Sequence, residues 1–288
     1  MSSSILSLLL ACDVDVDAGA TATDARTLST CETDIPDDAP DFYAKYFRCV
    51  TVIVDDDEIG LSSTGLPPHP SPYYPSDDAN WEEWDDRGGD WFQNPNVIAE
   101  QSLLLRVAND PVSKGLTITE DLVDLEAGTS TEEYGGMPMG LALDGTALFH
   151  GVAAPGDDIR DEAFTFDRFE GHPEMTGTYH HHSATPASLA VLVAAGLATS
   201  TVPGAAEIEL YGIMCDGTLL LGCTELDGSA PSTDDLDAQS DHVHDLLDEE
   251  GTVHFSQRYH THLCDALATH EFTPEIAYYQ GCDSMGPP

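Results

Sequence analysis

The chain of 288 residues carries 53 acidic and 9 basic side chains, for a formal net charge of −44. A surface of that sign repels nucleic acid and anionic lipid, which excludes both as partners of the protein surface. Hydrophobic residues make up 41% of the chain, enough for one large core or two small ones. The acid is spread along the chain rather than gathered in one block. That fits a protein kept soluble in high salt, where screening removes self-repulsion; the alternative is an extracellular surface that concentrates cations.

At the N-terminus, Leu9-Leu10-Ala11-Cys12 follows the apolar Ile5-Leu6-Ser7-Leu8 and has the lipobox form of a lipoprotein signal. Met1-Ser2-Ser3-Ser4 lacks the usual basic stretch, so residues 1–12 read as a lipoprotein-like signal truncated at its start. Cys12 is then the lipid anchor, and that lipid is the only membrane attachment expected. The remaining Cys31, Cys49, Cys215, Cys223, Cys264 and Cys282 form an even six in sequence-local pairs. The most local connectivity is 31–49, 215–223 and 264–282. Three disulfides imply an oxidising compartment, with the protein lipid-anchored to the cell envelope or secreted.

Residues 13–40 read as an acidic tether. Its Asp13-Val14-Asp15-Val16-Asp17 start is not a calcium loop, because Gly19 falls one place late and no Glu stands at the twelfth position. Residues 41–288 read as one domain. The β-branched run Cys49 to Val54 predicts a strand, and Leu103 to Val107 and Leu116 to Ile118 predict two more. Between them lie proline-rich segments and a loop holding Trp81, Trp84 and Trp91 among acids, read as aromatic anchors of that loop. Asp144-Gly145 and Asp216-Gly217 each sit between apolar runs and predict hairpins. The Ala- and Leu-rich stretch 187–198 predicts a helix. The expected fold is mainly β with long loops and a minor helical segment.

Two passages are alike, near 140–186 and 210–264. Each runs through Asp-Gly, an Asp five residues before a His (Asp167 and His172; Asp237 and His242), and a closing Tyr-His-x-His (Tyr179 to His182; Tyr259 to His262). This is a degenerate internal repeat, two copies side by side in one domain. Strand residues two apart share a face, so His180 with His182, and His260 with His262, present paired imidazoles. His172 and His242 complete the candidate ligand set, and His242-Val243-His244 adds a further pair. Imidazole ligands favour copper or zinc over calcium or magnesium. Asp167 and Asp237 are candidates to orient imidazoles from behind, and Tyr179 and Tyr259 to act as hydrogen-bonding or redox neighbours.

From about Cys49 to Cys282 the chain resembles the YHYH-domain family, named for a Tyr-His-Tyr-His motif. The resemblance rests on Gly65-Leu66-Pro67-Pro68-His69, Met137 to Gly145, Thr165-Phe166-Asp167, Gly171-His172-Pro173 and Gly177 to His182. It continues through Tyr211-Gly212-Ile213, Asp216-Gly217, Asp235-Leu236-Asp237 with His242, Tyr259 to His262, and Gly281-Cys282. It implies an exported, often membrane-anchored protein of bacterial type with a histidine-rich centre. His181 and Thr261 stand where the family prefers Tyr, and Phe169 and Gln239 where it tends to carry Cys. Their joint loss implies that those cysteines pair with each other in the family, drawing the two copies into a shared site.

Three functions follow for comparison. The first is a lipid-anchored, extracytoplasmic metal-binding protein. The second is a metal-dependent enzyme of hydrolase or copper-oxidase type, for which no Ser or Cys nucleophile motif and no phosphate or dinucleotide loop offers an alternative chemistry. The third is a surface interaction or structural protein whose histidines form a polar network.

Overall fold

The computed structural model describes residues 24–123, 128–135, 138–154, 157–264 and 272–282. Cys12 and the signal lie outside the described residues. Two sheets and a few short helices make up the fold, with long loops between them. Helix α1 (Asp41–Tyr46) buries Phe42, Tyr43 and Tyr46, and leads into β1 (Thr51–Val54), β2 (Glu58–Ser63) and β3 (Leu103–Ala108). These three strands form an antiparallel sheet in chain order. Val52, Leu61 and Leu105 join a continuous core with the second sheet.

The second sheet has eight strands: β4 (Gly140–Ala142), β5 (Ala147–Leu148), β6 (Gly171–Pro173), β7 (Tyr179–His181), β8 (Leu210–Met214), β9 (Leu219–Leu221), β10 (Asp241–Leu247) and β11 (Val253–His262). Their order is β10-β11-β9-β8-β4-β5-β7-β6. The middle is the antiparallel β4–β8 pair, with Leu141 opposite Ile213, Gly140 opposite Met214 and Ala142 opposite Gly212. Two glycines permit this approach: a Cβ on Gly140 would lie 2.6 Å from the Ile213 carbonyl, and one on Gly212 2.3 Å from that of Leu141.

Outward from the middle, each half repeats one sequence of pairings. β5 lies parallel to β7 with Ala147 opposite His180, and β9 lies parallel to β11 with Leu219 opposite His260. Both hairpin turns are set by their Asp: Asp144 accepts from Thr146 N and Oγ1, and Asp216 from Thr218 N and Oγ1. Residues 140–142, 147–148 and 219–221 are fully buried, as expected of a sheet covered on both faces. Helix α2 (Ile159–Glu162) is a single turn capped by Asp158. Helix α3 (Pro186–Ala194) packs on β8, capped by Thr185 with Pro186 in its first turn. It ends sooner than the apolar run suggests because Gly196 takes a positive φ of 75° and reverses the chain.

Several expectations need correction. Leu116 to Ile118 is not a strand; Ile118 instead packs with Tyr259, Ile276 and Tyr279 in a small side cluster. Part of the expected tether is bound to the body: Cys31 bridges Cys49, Asp34 pairs with β1, and Arg26 N bonds Asn80. Of the three local disulfides only 31–49 forms. Cys215 bridges Cys282 and Cys223 bridges Cys264. Cys215 and Cys223 sit at opposite ends of the β8–β9 hairpin, so they cannot meet. Parallel pairing of β11 with β9 carries Cys264 up beside Cys223. The chain at Tyr279, whose N–H donates to Asp216, brings Cys282 to Cys215. Phe169 and Gln239 precede β6 and β10, the two opposite edge strands of the eight-stranded sheet, and the histidines fall in two separate groups rather than one shared site.

Candidate metal centres

The first centre is built on the β6–β7 pair, where His172 stands opposite His180. His180 Nδ1–H donates to the Thr178 carbonyl at 3.0 Å, and His182 Nδ1–H to the His150 carbonyl at 2.7 Å. His172 Nδ1 lies 2.6 Å from Thr165 Oγ1, whose own hydrogen goes to the Glu162 carbonyl. Asn94 Nδ2, which only donates, lies 3.3 Å from the same Nδ1, so these partners assign no tautomer to His172. His180 and His182 thus carry their hydrogens on Nδ1, a tautomer assigned from their partners, and keep a lone pair on Nε2. Those lone pairs meet: His180 Nε2 lies 3.0 Å from both His172 Nε2 and His182 Nε2. Glu162 closes the group with a carboxylate oxygen 3.3 Å from His172 Nε2.

The second centre is built the same way on β10 and β11, where His242 stands opposite His260. His260 Nδ1–H donates to the Arg258 carbonyl at 2.9 Å, His262 Nδ1–H to the Gly222 carbonyl at 2.8 Å, and His242 Nδ1–H to Asp235 at 3.4 Å. His262 Nε2 lies 3.2 Å from His242 Nε2. Glu225 reaches all three rings, with carboxylate oxygens 3.2 Å from His242, 3.2 Å from His260 and 3.5 Å from His262.

All six histidines are buried. Burial, reinforced by neighbouring imidazoles, holds the pKa of His180 well below its usual value and that of His182 at about 3. Burial also lowers His260, although Glu225 opposes it. Burial alone would lower His242, but Glu225 and Asp235 beside it raise it. The same contacts with His242, His260 and His262 overcome burial at Glu225 and hold its carboxyl far below the carboxylate range. His172 does the same more weakly for Glu162.

With the rings neutral and Nε2 unprotonated, the lone pairs of each centre and its carboxylate repel one another. The depressed carboxyls of Glu225 and Glu162 reflect the opposite case, a facing ring that carries a proton on Nε2. A buried acceptor left without a donor costs about 1–3 kcal/mol. A cation at the meeting point removes that cost. Nitrogens bound about 2.0–2.1 Å from one ion lie about 2.9 Å apart at right-angle ligation and about 3.4 Å apart in a tetrahedron. The 3.0 and 3.2 Å separations fall inside that interval. Glu162 with His172, His180 and His182, and Glu225 with His242, His260 and His262, are each grouped so that they could hold a metal ion.

The six predicted ligands therefore assemble, in two groups of three. The residues expected behind them do not take that place. Tyr179 and Tyr259 point to the opposite strand face and donate to Asp167 and Asp237. Asp167 also accepts from Ser71 and Phe169 N, and Asp237 from Gln239 N and Asp241 N. Backbone carbonyls orient four of the imidazoles, leaving Thr165 and Asp235 to orient His172 and His242. Glu162 and Glu225 escaped the sequence reading because each is one acid among 53, outside the histidine motifs. The first centre is walled by aromatics, with Phe149 stacked on His180 at 3.6 Å and Phe166 at 5.9 Å from His182. His181, on the other face, bonds the Glu170 carbonyl.

Three disulfides indicate a non-reducing, extracytoplasmic environment. No helix among the described residues is long and apolar enough to cross a membrane. Compared with family models, curated proteins and solved structures, the chain finds no match.

Proposed function

We propose that this protein binds two transition-metal ions, one in each three-histidine, one-glutamate centre, outside the cytoplasm. The observation that carries this reading is the convergence of three histidines and one glutamate in each of two groups, with Nδ1 hydrogen bonds to backbone carbonyls turning the Nε2 lone pairs of His180, His182, His260 and His262 inward. Nitrogen-rich ligation with one carboxylate favours zinc or copper(II) over calcium or magnesium. Membership of the YHYH-domain family and attachment through a lipid on Cys12 are part of the same proposal. The matched register about Leu141 and Ile213 supports reading the two halves as copies of one unit.

Calorimetric titration of zinc or copper(II) into metal-free protein tests the reading: two equivalents bind, and each shifts thermal unfolding upward. A folded protein that takes up neither metal contradicts it.

A metal-dependent enzyme is the second reading. One oxygen of each glutamate, Oε2 of Glu162 and Oε1 of Glu225, is buried without a hydrogen-bond partner. A carboxylate so placed serves equally as a fourth ligand or as a base beside a metal-bound water. Turnover of model esters or phenols by the loaded protein, abolished by Glu225→Gln with metal retained, separates the enzyme from a storage or sensing protein.

A further inference from the structure

The two centres differ on the outer side of one ring. In the first, His172 Nδ1 is closed off by Thr165, seven residues earlier in the chain, and the ring packs edge-on against Phe166. In the second, the residue seven places before His242 is Asp235. Its carboxylate also bonds His244 Nε2, at 2.8 Å. His244 lies two residues along β10, its ring 4.1 Å from that of His242 between centroids. Asp235 and His244 are 46% and 40% exposed, against 1% for the His242 side chain. Asp235, His242 and His244 form a third group able to hold a metal ion, and it adjoins the buried centre through the ring they share.

We propose that Asp235 and His244 form an entry site that captures a divalent cation at the rim and passes it along the edge of His242 to the Glu225 centre. This rests on the metal-binding reading above. Two features of the rim suit it to transient rather than permanent holding. Only the Asp235 carboxylate and His244 Nε2 are offered, since His242 Nδ1 carries the hydrogen it gives to Asp235. Both groups face water, so an ion there keeps most of its hydration. The deeper centre presents three buried nitrogens and the Glu225 oxygens, among them His260 Nε2, which has no hydrogen-bond partner. An ion therefore gains ligands and loses water as it moves inward. Because Thr165 occupies the matching place, the first centre has no such rim and exchanges its ion slowly.

An entry site speeds loading and release equally and leaves the equilibrium affinity unchanged. Zinc uptake by the metal-free full chain, followed by stopped flow with a chromogenic chelator, tests this. Wild type should load in two phases, a fast one for the Glu225 centre and a slow one for the Glu162 centre. His244→Ala should slow the fast phase and chelator-driven release by about tenfold or more, with the slow phase and both affinities unchanged. Asp235 also orients His242, so Asp235→Asn should slow the fast phase and weaken the Glu225 centre as well. An unchanged fast phase in His244→Ala overturns the entry site while leaving the two centres standing. So does a loss of affinity in His244→Ala matched to its loss of loading rate, which would make His244 merely a positioning residue. Absence of zinc binding in wild type overturns the metal-binding reading itself.

Discussion

His172 and His180 face each other across β6 and β7 with their Nε2 atoms 3.0 Å apart, and the Thr178 carbonyl holds the hydrogen of His180 on Nδ1. The contact is a hydrogen bond when His172 carries its hydrogen on Nε2 and a pair of ligand atoms when it does not. It persists because strand pairing and the Nδ1 partners hold both rings, and a shared cation makes it favourable.

Two independent centres should lose their ions independently. His180→Ala with His182→Ala should leave one tightly bound ion per chain, and His260→Ala with His262→Ala should leave the other. Each pair should weaken its own centre by more than about a hundredfold, since even indirect ligand support is worth about 10–100-fold. Calorimetric titration of each double variant checks this.

The glutamates should not be equal. Glu225 contacts three imidazoles whereas the Glu162 carboxylate approaches one, His172, so Glu225→Gln should lower metal affinity more than Glu162→Gln. A tenfold or greater difference between the two variants is expected in a chelator competition assay.

Burial raises the Asp167 carboxyl to about 6, despite its bonds from Ser71, Phe169 N and Tyr179. The unfolded chain releases that proton near pH 3.9. Between about pH 4 and pH 6 the folded state therefore binds more protons, and this group's contribution to stability falls as pH rises through that window. The total is at most about 2–3 kcal/mol, at about 1.4 kcal/mol per pH unit. Asp167→Asn should flatten that part of the profile, read from urea unfolding at a series of pH values as the difference from wild type.

A net charge of −44 on 288 residues destabilises the compact state by self-repulsion. Raising salt from about 0.05 M to about 1 M shortens the Debye length from over 10 Å to about 3 Å. The unfolding midpoint of the metal-free protein should rise by several degrees over that range in sodium chloride. A midpoint that falls with salt would show instead that the few ion pairs, such as Lys45 with Asp248, outweigh the repulsion.

The histidine pairs were legible because strand alternation is strict: residues two apart share a face, which gave His180 with His182 and His260 with His262. The Asp-Gly hairpins were legible for the same local reason. The disulfides were not, since Cys215–Cys282 and Cys223–Cys264 depend on parallel β9–β11 pairing and on a crossing C-terminal segment. Nor were Glu162 and Glu225, whose approach to the imidazoles is set by tertiary packing. The same alternation that grouped the ligands turns Tyr179 and Tyr259 away from them, so Asp167 and Asp237 serve the tyrosines on the reverse face.

Elemental analysis of natively purified protein, beside a variant with His180, His182, His260 and His262 all replaced by Ala, tests the central claim most directly. Two equivalents of zinc or copper per chain, lost in the folded variant, are the expected result. A correctly folded wild type that holds no metal, and binds none when titrated, would contradict it and leave the six imidazoles as a polar network.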